Sequence, residues 1–466
     1  MLTVHEIFKA INAIPRPSHH EEKIADYLCH FAEERNLSYS RDANNCVVIR
    51  KPATPGHENA TPIVLLNHMD MVAVSDGNRS FNPLTDSIEA YTENGWMYAR
   101  GTSLGADNGI GLSMALAILD DDTITHGPLE VLTTTNEEDG MTGAAALTPD
   151  FIKGRHVINL DSEEYDTITV GAAGALIQIA TMPIIRTTIP SGFKFFTICI
   201  TGGAGGHSGV DINKNRCNAN VALANIINNA PVAVVVSEFN GGDANASIAS
   251  SATAIVGTNS PEAFIQYLKE ENDSLKRKYA ESDPSILLTA KAMQKPSSVI
   301  ENPAPLLTTL PYGPLKMRTD MPGTVMTSNN IGMVRTHDDC ITISCHTRSF
   351  DNKEMEALAE KIADIFRQHG ASVEMIMNTP GWQENQDSEY LALVDRTFRD
   401  ILGFSPRKVA MHFVLEAGYY VQKYPGIQIA CIGPRIVEPH STRERVEVST
   451  IDNIYKVTLE LLKRFV

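Results

Sequence analysis

"TPIVLLNHMDMV", residues 61–72, sets four consecutive apolar residues, Ile63–Leu66, one asparagine ahead of a histidine and an aspartate, His68 and Asp70. A run as apolar as Ile63–Leu66 suits a strand covered on both faces, the habit of the largely parallel sheets of α/β proteins. The texture recurs in "PLEVLTTTNEEDGMTG" (128–143), "GRHVINLD" (154–161) and "IQIACIG" (427–433). Helical patterns lie between these runs. "EEKIADYLCHFAEE" places Ile24, Tyr27, Leu28 and Phe31 at helical spacing, and "NGIGLSMALAIL" reads as an apolar helix.

Near residue 187 the pattern changes. "GFKFFTICITGG" opens a section with polar alternation, and "IGMVRTHDDCITISCHTRS" reads as a hairpin-like pair. Helices are expected at 261–282 and 352–369, and the earlier style resumes with a helix at 388–401. The sequence therefore predicts a discontinuous α/β domain, 1–186 and 388–466, with a mixed, largely parallel sheet. An α+β domain, 187–387, is inserted into it.

The 39 basic and 56 acidic residues give a formal charge of -17. That balance argues against binding a phosphate backbone, which needs clustered cations, so no nucleic-acid partner is expected. The seven cysteines are scattered and form no CxxC pair. Neither a disulfide framework nor a cysteine metal site is indicated. The first seventeen residues read as an amphipathic helix ended by prolines rather than a signal peptide. No apolar run approaches the ~18 residues of a membrane span, so a cytoplasmic protein without a membrane partner is expected.

The chemistry gathers where apolar runs stop. His68 and Asp70 follow "PIVLLN", Glu137 and Glu138 follow "PLEVLTTTN", Asp161 follows "HVINL", and His440 follows "IQIACIGPRIVEP". Asp107 lies in a glycine-flanked loop before a helix. Open α/β sheets bind ligands beyond the carboxyl ends of their strands, so these distant positions can converge. Singly, each acid reads as a helix cap or a solvated loop residue. Together, two histidines and several carboxylates are the donor types that zinc takes.

"NHMDMV", "RGTSLGADNGIG", "NEEDGMTGA", "NLDSEE", "GGHSG" and "GPRIVEPHS" resemble, in order and over nearly the whole chain, the motifs of aminoacyl-histidine dipeptidases. These are dinuclear zinc exopeptidases related to carnosinases. The resemblance implies a zinc-exopeptidase-like catalytic domain with an inserted lid domain that mediates homodimerisation. It implies two zinc ions, with manganese or cobalt as substitutes: His68 and Asp161 on one, His440 and Glu138 on the other, and Asp107 bridging them across a cis Asp107–Asn108 peptide. Asp70 would orient His68. Glu137 would be the general base for a zinc-bridged hydroxide that attacks a dipeptide substrate of the Xaa-His, carnosine-like type. Three carboxylates and one hydroxide would balance the four charges of the two ions.

His207 would hydrogen-bond the tetrahedral oxyanion, Arg348 would clamp the substrate carboxylate, and Glu416 would lie near the substrate. Without the resemblance, His207 reads equally as part of a glycine-rich turn and Arg348 as a surface residue of an edge strand. Ala246 stands where the family has an asparagine, with Asn245 beside it. Phe413 and Val414 replace small residues. Two rival functions stand beside the dipeptidase: an N-acyl amino acid deacylase using the same site, and, motivated by these departures, a non-catalytic metal- or peptide-binding relative.

Overall fold

The computed structural model describes residues 2–78 and 80–466. The chain divides into two compact units. One comprises the stretch up to Gly171 with residues 383–410 and 416–466, and the other comprises residues 172–382 and 411–415.

The first unit is built on a mixed sheet. Strand Ile63–His68 lies between Leu129–Thr134 and His156–Asn159 and is parallel to both; Gln428–Cys431 continues the parallel run beyond His156–Asn159. Strands Val47–Lys51 and Thr167–Ala172 join antiparallel at either end of this set. Residues 63–66 and 129–132 are fully buried, as strands covered on both faces require. Helix Ala106–Asp120 is buried along nearly its whole length, which explains why it is apolar all round.

Register fixes the functional geometry. His68 pairs with Thr134, and Leu66 pairs with Asn159. Because the strands are parallel and nearly level, the residues after each run emerge at one edge of the sheet. A small separate sheet pairs Trp96–Ala99 with Arg445–Glu447.

The second unit carries an antiparallel sheet in which Lys194–Thr201, Ala252–Thr258, Val234–Gly241, Val325–Thr336, Cys340–Ser349 and Gly174–Pro183 are successive neighbours. Its division from the first unit falls at Ala172 rather than near 187, because Gly174–Pro183 pairs with Cys340–Ser349 and Ser372–Thr379. Helices Ala219–Asn228, Pro261–Lys278 and Asn352–Gln368 supply Leu223, Phe264 and Phe366 to its core, beside Phe196 and Phe239. Among the described residues no helix is long and apolar enough to cross a membrane.

Asn218 joins a helix to this sheet. Its side-chain oxygen accepts from the amides of Asn220 and Val221, capping helix Ala219–Asn228, while its amide donates to Ile331 O at 2.8 Å and Asn330 Oδ1 at 3.1 Å. Asn218→Ala removes a cap and strands buried partners; a loss of about 1–3 kcal/mol is expected, read as a lower denaturation midpoint at unchanged m-value.

Candidate metal centre

The edge of the parallel strands gathers the predicted ligands of the first unit. His68 is the last residue of its strand and is buried. Its Nε2 lies 3.1 Å from Asp107 Oδ1 and 3.3 Å from Asp161 Oδ1. His440 Nε2 lies 2.8 Å from Glu138 Oε2 and 3.4 Å from Asp107 Oδ2. The two oxygens of Asp107 thus face two different imidazoles, each of which faces one further carboxylate. The Asp107–Asn108 peptide is cis. Asn108 donates to Asp161 Oδ1 at 2.5 Å, fixing the acid that follows the neighbouring strand.

The adjacent glutamates are held by Asp70. Its Oδ1 accepts from the Glu137 amide at 3.1 Å, its Oδ2 from the Glu138 amide at 3.2 Å, and Ser18 Oγ donates to Oδ2 at 2.7 Å. Asp70 Oδ1 also faces His68 Nδ1, at 3.4 Å, which is an ion-pair contact rather than a well-formed hydrogen bond. Its main bonding is therefore to the glutamate loop, a role its neighbourhood in sequence does not reveal.

Protonation shows what these donors lack. Burial pushes Glu138 up, and burial raises Asp161 to about 6. Glu137 stands well above the usual carboxylate range, because it is buried and near Asp161, Glu416 and Glu138. Burial would also raise Asp107, but hydrogen bonds from His440 and His68 more than offset this and hold it low. Its bonds to Asp107 and Glu138 lift His440 to about 11. Ionisation is thus disfavoured where acids crowd, and divalent cations would neutralise the same excess of negative charge. His68, Asp107 and Glu138 offer ligand atoms within 4.8 Å of one another, and Glu138 Oε1 is buried without a partner. The donor set therefore suits metal ions.

Glu416, also in the first unit, is buried and bonded to Thr134 Oγ1 at 2.9 Å and Tyr420 Oη at 3.0 Å. Burial raises it to about 8, and its Oε1 has no partner. Two further residues escaped the sequence reading. Arg16 donates to the carbonyls of Met69, Asp70 and Gly105. Glu444 accepts from four amides of the Asp107 loop.

The second unit holds its own polar cluster. Arg348 is buried in the interior strand Cys340–Ser349, so the surface-edge reading of this arginine does not hold. The amides of Gly209 and Val210 point at His207 Nδ1, at 3.2 and 3.1 Å, which makes Nδ1 the acceptor and leaves the proton on Nε2. Arg348 Nη2 lies 3.3 Å from that Nε2. Two donors then face each other, Arg348 Nη1 has no partner, and the pair is arranged to share an incoming acceptor. Burial and the Arg348 charge push His207 down to about 4, so its ring is neutral near pH 7. His412 bonds Ser328 at 2.8 Å, and Asn245 Oδ1 is buried without a partner in the same unit.

Residues 64–464 match the pattern of peptidase family M20/M25/M40. The chain is 34% identical over 467 residues to the cytosol non-specific dipeptidase of Escherichia coli K12, covering 98% of this chain and 96% of that protein. It matches the structure of the aminoacylhistidine dipeptidase of Vibrio alginolyticus with a TM-score of 0.93 and 32% identity, over 99% and 96% of the two chains. The aminopeptidase PepT of Bacillus cereus shares the fold at a TM-score of 0.58 and 17% identity, over 99% and 98%. Together with the cluster of histidines and carboxylates at the strand ends, these matches show that the chain belongs to peptidase family M20/M25/M40 and is a metallopeptidase of that family.

Proposed function

We propose that this protein is a cytoplasmic dipeptidase that releases the N-terminal residue of dipeptides, with Xaa-His, carnosine-like dipeptides among its substrates. The observation that carries the reading is Asp107, whose two oxygens face His68 and His440 while Asp161 and Glu138 complete the two sets. The names of two relatives, the Escherichia coli and Vibrio alginolyticus proteins, both dipeptidases, support the substrate class.

His68, Asp107 and Asp161 would hold one divalent cation, and His440, Asp107 and Glu138 a second, zinc being the expected ion with manganese or cobalt as substitutes. Such ions supply Lewis acidity, which lowers the pKa of water from 15.7 toward about 7 and polarises a peptide carbonyl. Glu137, with its backbone held by Asp70, takes the proton from the attacking water on its carboxylate and returns it to the leaving amine. His207 Nε2–H and the Arg348 guanidinium donate to the anionic oxygens of the substrate and of the developing tetrahedral species. Glu416 shapes the wall near the substrate. The dimer is assigned to the second unit, and sedimentation of the purified protein at several concentrations tests it.

Glu137→Gln keeps the metal-binding residues and removes the base. Turnover should fall by roughly 10²- to 10⁴-fold while two metal equivalents are retained by elemental analysis. A near-wild-type rate would remove Glu137 from the mechanism. Arg348→Lys keeps the charge but loses the planar fork, and kcat/KM should drop by about 10- to 100-fold, corresponding to a charge-assisted bond of ~1.5–3 kcal/mol. A panel of free-amine dipeptides and N-acetyl amino acids separates the two hydrolase readings. Turnover of the former after metal restoration is expected, and preference for the latter would assign a deacylase.

A further inference from the structure

Helix Ala106–Asp120 begins without a cap of its own: Gly105, at φ 66°, offers no side chain, so the first amides need partners from elsewhere. They find one at the far end of the sequence. Glu444 Oε2 accepts from Leu104 N at 2.7 Å and Gly105 N at 2.9 Å, and Oε1 accepts from Ala106 N at 2.8 Å and Asp107 N at 3.3 Å. The carboxylate is buried, at 3% exposure. One side chain therefore fixes the backbone that presents Asp107.

Glu444 stands four positions after His440, in the same loop. That loop needs fixing. Glu438 and His440 both sit in the left-handed region, at φ 55° and 56°, which non-glycine residues seldom adopt. The His440 side chain is 46% exposed, so packing restrains it little. His68 is held differently, since it ends a buried strand. Arg16, itself buried, joins the Met69 and Asp70 carbonyls to Gly105 O at 2.6 Å. The link from His68 to Asp107 thus has a support that does not pass through Glu444. The His440 loop is braced internally by Ser441, Arg443 and Arg445 on Glu438, but the hydrogen bonds that tie it to the Asp107 backbone run through Glu444.

We infer that Glu444 is a positioning residue that sets the spacing between His440 and Asp107, and that it thereby controls retention of the cation on the His440 side more than that on the His68 side. The inference rests on the two-cation reading above. Groups of this kind, one bond removed from the ligands, typically change metal affinity by roughly 10- to 100-fold when altered. Glu444→Gln is nearly isosteric but turns an NH₂ toward backbone donors, so half of the four bonds are lost.

The test is stepwise zinc binding to the chelator-stripped full-length protein, by calorimetry with a competing chelator, alongside thermal denaturation of the metal-free forms. Glu444→Gln should weaken one step by roughly 10- to 100-fold and leave the other within about threefold; kcat should recover when zinc is raised. Glu444→Asp, which keeps the carboxylate, should restore part of the lost affinity. Should Glu444→Gln fail to fold, Glu444→Asp carries the test, with a smaller loss confined to one step. A lower melting temperature with both steps unchanged would make Glu444 merely structural and overturn the inference, as would equal weakening of both. Wild-type protein that takes up fewer than two equivalents would overturn the two-cation reading and this inference together, whereas two equivalents with indifferent variants would overturn the inference alone.

Discussion

Like charges brought together out of water govern this molecule. Asp107, Glu138 and Asp161 converge with only two imidazoles among them, and Glu137 and Glu416 stand close behind. Buried carboxylates repel, and each left unpaired costs several kcal/mol. The protein distributes that cost in two ways. Burial makes ionisation harder for Glu137, Glu138 and Asp161, and backbone amides are lent to Asp70 and Glu444. Six amides between them point at the oxygens of Asp70 and Glu444. Asp70, which also faces His68 and accepts from Ser18, is held below the usual carboxylate range despite its burial, whereas burial outweighs the amides at Glu444 and pushes it up.

The parallel strands make this convergence possible. Side chains that emerge beyond three level strand ends need only short loops to meet, however far apart they lie in sequence. The second unit handles the opposite sign with the same economy. There a neutral histidine and a buried guanidinium point donors at one place. Each unit alone presents an unmet demand, one for cations and one for an anionic oxygen.

What was legible in the sequence follows from this layout. His68, Asp161 and the glutamate pair each trail an apolar run, so a strand-end position could be read directly, and the ordered motifs linked them to a family. Arg16 and Glu444 were not legible. Arg16 sits between two prolines and reads as the end of a helix, while Glu444 lies among arginines in "STRERV" and reads as a solvated charge. Their partners are main-chain groups up to 340 residues away, and backbone carbonyls and amides leave no mark in a sequence. The limit of the second unit was misplaced for a related reason. "GALIQIATMP" is as apolar as the strands before it, and only its pairing shows which sheet it joins.

The place of Glu444 in chain order also bears on biosynthesis. On the ribosome, His68, Asp107, Glu138 and Asp161 all emerge before the core of the second unit, residues 172–382, has been made, whereas His440 and Glu444 follow it. The amides of Leu104 to Asp107 therefore wait through the synthesis of up to 340 residues for the carboxylate that caps them. Until then the start of that helix has only water to satisfy it.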